Sequence, residues 1–489
     1  MLLMSAYRSP YYSQLLLENF ANPVGAGGLS APDVTGEAGS RRCGDLVRID
    51  LQVSNGVVTD AGFRAYGCPA AIAGASEVVR RIRGRTVLDA ARVGWAALLA
   101  DLELAPERRS CVEAGVDALH KALQCLISRD VPLTPQGGAR DPRGVVVGMS
   151  GGVDSAVAAV RLLEDGLHPI GVTFRLWSDP SCGLDNACCS PEAVRDARDL
   201  AHQLGLAHFV VDLSHKFYAE VVEYFVAEYA QARTPNPCAR CNAAVRFGEL
   251  LELADRLGAE WGATGHYARM LQPEGSLARG QDPDKDQSYV LALVDPGLLR
   301  RMLFPLGELT KAAVRELARE RGLTVHDRPE SQEICFVPDD DYRRFLRERL
   351  PEAPGAIVDR EGRRLGSHEG LYGFTIGQRR GLGISASQPQ YVVELRPEQQ
   401  TVVVGPGEAA DVHRVVVGEV VPHRKSLPAE AEVQLRSSGG STRAEVETGP
   451  EDRLILRLSQ PVRGVAPGQV AVLYSQNRVV AAGTIIRTD

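Results

Sequence analysis

A glycine-rich loop between a short apolar run and a helical pattern constrains this chain more than any other feature. The run Gly144-Val-Val-Val-Gly148 is typical of a buried parallel strand, the string Ser150-Gly-Gly-Val-Asp-Ser155 follows it, and residues 156–165 have helical spacing. Ile170-Gly-Val-Thr-Phe174 then predicts a second strand, so the segment begins a βαβ unit of a parallel sheet. In such a unit the glycines let backbone N–H groups close on an anion at the helix N-terminus. The loop is therefore predicted to hold phosphate.

The length and punctuation of the chain indicate several domains. A chain of 489 residues exceeds what one hydrophobic core requires, and about three domains are expected. The segment 130–143 is rich in Pro and Gly, which is typical of an interdomain linker. We predict, in order, an α+β domain (1–129), this linker (130–143), an α/β doubly wound parallel-sheet domain (144–350), a small central β-rich domain (351–413) and a C-terminal β-barrel (414–489).

Local patterns support the first and the last parts. Residues 46–53 alternate apolar and polar side chains before Asn55-Gly56, which predicts a β-hairpin. Helical spacing follows at 70–83 and 111–127. Short alternating runs in the last third predict strands at 391–395, 401–404, 415–420, 454–458 and 470–474.

The composition excludes some functional classes. With 44% hydrophobic and 24% charged residues the chain can bury large cores, but no segment resembles the roughly 18 uninterrupted apolar residues of a membrane span. The first residues are too short an apolar run for a secretory signal, so we expect the cytoplasm. The ten cysteines are then expected as thiols, metal ligands or redox groups. A net charge of −7 opposes nucleic-acid binding by the bulk charge, although local basic clusters can overrule it; neither a membrane nor DNA is expected as a partner.

The string Ser150 to Ser155 resembles the signature of the ATP-pyrophosphatase family, which cleaves ATP between its α and β phosphates to adenylate a substrate. Two glycines alone would favour an ordinary βα turn, but the full string reverses that judgement. The resemblance implies that Asp154 helps to bind magnesium pyrophosphate, that Phe174 flanks the adenine, and that Gly265 meets the nucleotide. The implied phosphate-binding residues are Gly148, Met149, Ser150, Gly151, Gly152, Val153, Asp154 and Ser155.

Several further strings resemble one branch of that family, the tRNA-specific 2-thiouridylases. They are Arg233-Thr-Pro-Asn-Pro-Cys-Ala-Arg-Cys-Asn242, Thr264-Gly-His-Tyr267, Lys285-Asp-Gln-Ser-Tyr289, Ser331-Gln-Glu-Ile-Cys-Phe336 and Thr375-Ile-Gly-Gln-Arg-Arg-Gly-Leu-Gly383. This resemblance runs from about residue 144 to the C-terminus. It implies that the C2 oxygen of the wobble uridine is adenylated and then replaced by sulfur carried on a cysteine. Cys335 would bear the persulfide, and Cys241 would be its catalytic partner, able to form a disulfide with it.

Thiolation requires both an adenylating loop and a cysteine. A carbonyl oxygen is a poor leaving group until it becomes a phosphoester, and sulfur must arrive as a soft nucleophile. Adenylation turns the oxygen into a good leaving group, and a cysteine carries the nucleophilic sulfur. A buried core thiol is the alternative for Cys335 taken alone, but its pairing with Cys241 favours function.

Cys238 departs from the family pattern, because many members carry an acidic residue there. The resulting Cys238-Ala-Arg-Cys241 is a redox pair or half of a metal site, and Cys335 would supply a third thiolate. Three cysteines can hold a [4Fe-4S] cluster with one iron open to an exogenous sulfide. We favour this cluster-dependent route over a persulfide relay, which remains the alternative.

The resemblance also implies residues that meet the tRNA. They are the target-base turn Asn236, Pro237 and Cys238, and the RNA contacts Lys285, Asp286, Gln287 and Gln469. His266 is either a substrate contact or a packed histidine. Arg436 belongs with Arg379-Arg380 and His423-Arg424-Lys425 to basic clusters that either follow the tRNA backbone or form a solvated surface. Ser437-Ser438 stands where the family has an aromatic-basic pair.

The N-terminal region carries a second set of cysteines at element boundaries. Cys43-Gly-Asp45, Gly67-Cys68-Pro-Ala-Ala-Ile72 and Cys111 resemble the NifU-type iron–sulfur cluster assembly scaffolds over about residues 11–128. The resemblance implies Cys43, Asp45, Cys68 and Cys111 as ligands of a cluster or of zinc. These scaffolds usually have histidine before the last cysteine, where this chain has Ser110. Cys125, on the apolar face of the last helix, is expected in the core.

A scaffold joined to a thiolation enzyme is expected to deliver clusters or sulfur to Cys238, Cys241 and Cys335, because tethering raises effective concentration. The implied partners are tRNA and a sulfur donor, either a cysteine desulfurase or a sulfur carrier. Zinc at Cys182, Cys188 and Cys189 is a minor alternative to the usual loop of this branch. The competing functions are an ammonia-using adenylating synthetase, which lacks a need for the cysteines, and a non-catalytic iron–sulfur scaffold, which lacks a need for an intact Asp154 loop.

Overall fold

The computed structural model describes residues 12–39, 43–129, 131–135, 139–177, 191–323, 325–326, 334–337 and 341–489. The three cysteines at 182, 188 and 189 and the Ser331–Glu333 part of the Cys335 motif lie outside these ranges. No helix within them is long and apolar enough to cross a membrane.

The N-terminal domain is an antiparallel sheet covered by helices. Its elements are α1 (Gln14–Ala21), β1 (Val34–Gly39), β2 (Leu46–Ser54), β3 (Val57–Tyr66), α2 (Pro69–Ile82), α3 (Val87–Ala90), α4 (Trp95–Asp101) and α5 (Arg109–Ile127), with strand order β1-β2-β3. Asn55 and Gly56 both have positive φ, 50° and 71°, which suits the tight hairpin turn and confirms the predicted hairpin. The predicted α+β fold is confirmed.

One expectation for this domain was wrong. Cys125 is exposed rather than part of the core. It follows the exposed Lys121 by one helical turn, so both side chains lie on the solvent side of α5, while Leu123, Leu126 and Ile127 are buried. The apolar face predicted for α5 from its sequence was therefore slightly too wide.

The second domain is a parallel sheet with helices on both faces. Its strands are β4 (Asp141–Gly148), β5 (His168–Arg175), β6 (His208–Asp212), β7 (Ala259–Ala263) and β10 (Met302–Leu303), in the order β10-β7-β4-β5-β6. Helices α6 (Val153–Glu164), α7 (Pro191–Gln203) and α14 (Lys311–Glu320) cover one face, and α11 (Phe247–Arg256) covers the other. This confirms the predicted doubly wound α/β domain.

Shorter elements complete this domain. They are α8 (Ser214–Phe217), α9 (Glu223–Ala230), α10 (Pro237–Cys241), β8 (Ala268–Leu271), β9 (Ser276–Arg279), α12 (Ser288–Leu291), α13 (Pro296–Leu299) and α15 (Tyr342–Arg347). A π-helical turn, Asn242–Arg246, joins α10 to α11, and single π turns are frequent at functional sites.

Two β domains follow, as the sequence predicted. The central one has β11 (Gly355–Val358), β12 (Arg364–His368), β13 (Tyr391–Arg396) and β14 (Thr401–Gly405), in the order β12-β11-β14-β13. The last contains β15 (Asp411–Pro422), β16 (Glu430–Gln434), β17 (Thr442–Thr448), β18 (Leu454–Arg463), β19 (Val470–Ser475) and β20 (Arg478–Thr488). Pairing of β15 with both β18 and β20 closes these six strands into a barrel, to which β9 and β8 are added at β20.

Candidate functional site

The loop between β4 and α6 is closed by its own serines. Ser155 Oγ accepts a hydrogen bond from the Ser150 backbone N–H at 3.2 Å and donates to the Gly152 carbonyl at 3.1 Å. Gly151 has φ +74°, a left-handed conformation that favours glycine. Gly265 packs against the start of α6, where an added Cβ would lie 2.9 Å from the backbone carbon of Asp154. The sequence thus forms a compact cradle at the N-terminus of α6.

Asp154 is held by two residues from distant parts of the chain. Lys311 Nζ, at the start of α14, lies 2.8 Å from each of its carboxylate oxygens. The Tyr267 hydroxyl donates to Asp154 Oδ1 at 2.7 Å. The Lys311 side chain is only 12% exposed, so its charge acts in a partly desolvated site, where electrostatic interactions are stronger than in water. An acid and a cation therefore meet at the phosphate cradle.

A cavity of about 870 Å³ opens at the carboxyl ends of β4, β5 and β7, within the usual size range of small-molecule sites. Every residue predicted to bind the nucleotide lines it except Gly151, which lies within the loop itself. Lys285, Asp286, Gln287, Lys311 and Cys335 line it as well. Ligands bind at this edge of open α/β sheets, and the position suits ATP.

A second cavity of about 280 Å³ adjoins the first and contains the three thiols of interest. Cys238, Cys241 and Cys335 all line it, and Cys335 also lines the larger cavity. Cys241 is buried, Cys335 is half-buried and Cys238 is exposed. Phe336 fixes the position of Cys335 by packing edge-on against Phe217, with ring centroids 5.7 Å apart. The structure thus brings Cys335 to a wall common to both cavities and places Cys238 and Cys241 in the second cavity.

The local environment sets the charge state of two groups in this second cavity. Desolvation by the surrounding protein raises the pKa of the Cys238 thiol, although its side chain reaches solvent; Arg246 opposes the rise and Cys241 adds to it. Burial, reinforced by Arg246, lowers the pKa of His266 to about 3. His266 is therefore neutral at physiological pH, and its Nδ1 lies 2.7 Å from Thr264 Oγ1.

The turn before Cys238 is fixed by a cap and by the barrel domain. Asn236 is the N-cap of α10, with its side chain accepting a hydrogen bond from Ala239 N–H at 3.0 Å, and Pro237 follows at the first helical position. Gln469 Nε2 donates to the Thr234 carbonyl at 3.0 Å. The barrel thus positions the turn that carries Cys238.

Two other residues predicted to meet tRNA have internal partners. Asp286 Oδ1 accepts from the backbone N–H groups of Gly280 and Ser288, and Oδ2 accepts from Arg279. Gln287 Oε1 accepts from Tyr267 N–H at 2.9 Å. Both side chains brace the wall on which Lys285 lies.

The predicted basic clusters differ in exposure. Arg379, Arg380, Arg424 and Lys425 are exposed, whereas His423 is half-buried and its Nε2 lies 2.8 Å from the Ala292 carbonyl oxygen. Arg436 Nη1 donates to the Arg463 carbonyl at 3.4 Å. Ser437, next to Arg436, lines both cavities, so the barrel reaches the site there.

A separate candidate metal centre lies at one end of the N-terminal domain. One ligand atom each from Cys43, Asp45 and Cys111 lie within 4.8 Å of one another. Cys68 Sγ is 3.8 Å from Asp45 Oδ2, and the Cys68 N–H donates to Asp45 Oδ1. Burial, with Cys68 adding to it, raises the pKa of the Cys111 thiol to about 12. An added Cβ at Gly67 would collide with the Asp45 carboxylate, which explains the glycine; the donor set suits zinc or an iron–sulfur unit.

The comparisons with known proteins cover all four parts of the chain. Residues 11–131 match the family described as NifU-like N terminal domain, and residues 143–339 match the tRNA methyl transferase HUP domain. Residues 343–406 match the tRNA methyl transferase PRC-barrel domain, and residues 417–485 match the aminomethyltransferase beta-barrel domain.

Full-length similarity decides the family. The bifunctional protein NifU/MnmA of Rubrobacter xylanophilus is 45% identical over 493 residues, which cover 98% of this chain and 99% of that protein. This chain belongs to the bifunctional NifU/MnmA family. The tRNA-specific 2-thiouridylase MnmA of Heliobacterium modesticaldum is 44% identical and covers 70% of this chain and 92% of its own. The MnmA of Acidothermus cellulolyticus is 46% identical, over 70% of this chain and 98% of its own.

Sequence reasoning missed three residues of this NifU/MnmA site. Lys311 is separated from Asp154 by 157 positions, so no local spacing could have linked them. Tyr267 belongs to the Thr264–Tyr267 string quoted above, and a hydroxyl within that string could have been predicted to contact the nucleotide site. Arg246 lines both cavities, but it follows Cys241 by five positions, which on a regular α-helix is about 140° around the axis. The π-helical turn Asn242–Arg246 lies between α10 and α11, and the sequence pattern did not predict it.

Proposed function

We propose that this chain is an ATP-dependent tRNA-uridine 2-sulfurtransferase. The observation that carries the proposal is the position of Cys335, which lines both the nucleotide cavity and the adjoining cavity of Cys238 and Cys241. A base activated at the first cavity therefore lies next to thiols in the second. The names of the MnmA relatives agree with this function.

The first step is adenylation of the uridine. The C2 oxygen attacks the α-phosphorus of ATP, a new O–P bond forms, and pyrophosphate leaves with the electron pair of the broken P–O bond. The oriented N–H groups of the loop from Ser150 to Ser155 hold the leaving phosphates. Asp154 would bind Mg²⁺, which neutralises phosphate charge, and the Lys311 ammonium beside it would add a second positive charge next to the phosphates.

The second step replaces the activated oxygen with sulfur. In the persulfide route the terminal sulfur of a Cys335 persulfide attacks C2 and AMP leaves. The Cys241 thiolate then attacks the Cys335 sulfur, which releases 2-thiouridine and leaves a Cys241–Cys335 disulfide. A thiol reductant must return two electrons before the next turnover.

In the cluster route, which we favour, Cys238, Cys241 and Cys335 hold a [4Fe-4S] group. The three thiols line one cavity, and the ligands of a multi-iron group bind different irons, so three cysteines around one cavity suit such a group. Such a group would supply an open iron for a sulfide, and no disulfide would form.

The N-terminal domain would assemble a cluster or carry sulfur at Cys43, Asp45, Cys68 and Cys111, with zinc as the other occupant that the donor set allows. Its source would be a cysteine desulfurase or a sulfur carrier. A tRNA substrate and reduced thiols point to the cytoplasm.

One assay tests the activity. The protein is incubated with tRNA, ATP and a sulfur source, and the digested tRNA is analysed for 2-thiouridine by mass spectrometry. We expect the product from the wild type and none from Asp154→Ala. Transfer of clusters to an acceptor without ATP use, and no 2-thiouridine, would instead indicate a scaffold whose nucleotide domain is non-catalytic.

A second assay separates the two sulfur routes. Protein purified anaerobically is analysed for iron and sulfide and by absorption spectroscopy, alongside Cys238→Ala. We expect iron in the wild type, and loss of colour and of thiolation in the variant. A colourless, fully active Cys238→Ala protein would contradict the cluster route and favour the persulfide.

A further inference from the structure

The N-terminal domain is docked on the α/β domain through one face of α5. Arg198 of α7 is 5% exposed, and its Nη1 lies 2.6 Å from Asp117 Oδ1 on α5. Arg109, at the start of α5, lies 2.6 Å from Asp199. The His120 and His202 rings are 5.0 Å apart across the same interface. The two domains therefore share a buried polar interface rather than a loose tether.

The start of the linker is also held in place. The Arg256 guanidinium at the end of α11 donates to the carbonyls of Ile127 and Arg129, at 2.7 and 2.6 Å. A Cβ at Gly56 would lie 2.5 Å from the backbone of Thr134. A rotation of the N-terminal domain would require the start of the linker to move, and this segment is packed against both domains.

The candidate metal centre lies on the other side of α5. At about 100° per residue, Cys111 is about 180° around the helix from His120 and about 160° from Arg109. Cys111 is buried against the sheet and α2 of its own domain. The centre is nonetheless open to solvent at its rim, where Cys43, Leu46 and Tyr66 are exposed. It therefore opens away from the domain on which α5 is docked.

The N-terminal domain also lies at the amino edge of the parallel sheet, which is not the edge at which sulfur would be delivered to the thiolation cavity. The Ala91 carbonyl accepts from the N–H of His208, the first residue of β6, and Arg256 ends the helix that leads into β7. Both contacts are at the amino edge of the sheet. The nucleotide cavity is at the carboxyl edge, a strand length of about 16 Å away for five residues.

We propose that sulfur leaves the N-terminal centre for the thiolation cavity of a second copy of this chain, not for the cavity of its own. The inference rests on the proposed function, because it assumes that the cavity at Cys335 is the acceptor. For sulfane sulfur, the Cys335 thiolate of the second copy attacks the outer sulfur of a persulfide on the first. One S–S bond forms as another breaks, the donor cysteine leaves as a thiolate, and no oxidant or reductant is needed.

A mixing experiment tests transfer between copies. Cys68→Ser blocks the N-terminal centre and keeps the nucleotide loop, whereas Asp154→Asn does the opposite. With cysteine and a cysteine desulfurase as the sulfur source, each variant alone should make little 2-thiouridine. At the same total chain concentration, a 1:1 mixture should recover about a quarter of the wild-type rate, since half of the donor centres and half of the thiolation cavities are intact, and the rate per chain should fall on dilution.

Three outcomes would overturn the inference. They are a mixture no more active than its components, a rate per chain that is independent of dilution, and a fully active Cys68→Ser protein. Cys125→Ser is the matched control, because it removes an exposed cysteine of the same domain, on α5, outside the centre. A wild type that makes no 2-thiouridine even with free sulfide would refute the proposed function instead.

A cross-link distinguishes transfer between copies from release of the docked domain. An ideal Cβ at Gly94 would lie 3.1 Å from His202 Cβ, so a shift of a few tenths of an ångström brings the pair into the usual Cβ–Cβ range of disulfides, about 3.5–4.5 Å. The Gly94→Cys/His202→Cys protein can thus be locked in the docked state by oxidation. We expect the locked protein to keep the thiolation rate of wild type treated in the same way. Activity that is lost on locking and regained on reduction would show that the domain must leave its dock, and would overturn the inference.

Discussion

Replacement of Lys311 is the sharpest test of the nucleotide site. Its ammonium is 12% exposed and lies 2.8 Å from both oxygens of Asp154. A unit charge about 4 Å from a phosphate oxygen interacts by roughly 4 kcal/mol at an effective dielectric constant of 20. Loss of a single preorganised donor at a reacting centre typically lowers the rate by about 10²-fold to 10³-fold.

We therefore expect Lys311→Ala to lower kcat/KM for ATP by about 10²-fold, or about 2.7 kcal/mol. Lys311→Arg, which keeps the charge, should lose less. Pyrophosphate release at varied ATP with saturating tRNA measures the effect, and KM for tRNA should change little. The matched control is Lys216→Ala, which removes a lysine paired with Glu249 at 2.5 Å on an exposed surface.

Equal kcat/KM values for ATP in Lys311→Ala and Lys216→Ala would refute the reasoning. In that case the contact with Asp154 would be a structural ion pair, and the phosphates would depend on the backbone loop and Mg²⁺ alone. A rise in KM for tRNA without a change for ATP would place Lys311 at the RNA instead.

Further predictions concern the loop and the interface. Thr173 Oγ1 donates to the Met149 carbonyl at 2.8 Å, so it must accept from His208 Nε2, at 2.9 Å. Thr173→Val should lower kcat/KM for ATP about tenfold, because the Met149 carbonyl and the His208 N–H both lose their partner. The control is Thr484→Val, which alters a buried threonine of the barrel and should leave kcat/KM for ATP unchanged. Asp117→Ala should cost about 3 kcal/mol in urea unfolding, because buried Arg198 loses its partner at 2.6 Å and keeps only Asp199, at 3.8 Å. Arg92→Ala, whose partner Asp89 is half exposed, should cost under about 0.5 kcal/mol; equal losses would contradict the buried-pair argument. Burial lowers the pKa of His202 to about 4 and holds those of His120 and His208 well below their ordinary value. The unfolded chain therefore binds more protons than the folded chain, and the free energy of unfolding should fall as the pH drops from about 6.5 to about 4. His202→Gln should flatten this pH dependence of the urea midpoint, and an unchanged slope would contradict the burial argument.

Much of the fold followed from local signals. The apolar run before Ser150, the Asn55-Gly56 turn and the short alternating runs of the barrel depend on neighbours in sequence, and the structure has strands in each of these places. Cys125 was misplaced because helical periodicity does not show where an apolar stripe ends. The partners of Asp154 were missed because they come from distant parts of the chain: Tyr267 lies in the segment after β7, and Lys311 begins α14.

The relation between the two functional modules was the hardest part to predict. From sequence, the linker suggested a tethered donor whose high effective concentration serves the cysteines of its own chain. That argument counts the length of the linker but not the direction in which each site opens. Asp117 and His120 of α5 meet Arg198 and His202 of α7 only in the folded chain, and these contacts orient the N-terminal centre away from its own cavity. A tether raises effective concentration only for geometries that the dock allows, so fusion here would keep donor and acceptor in equal amounts and favour exchange between neighbouring copies.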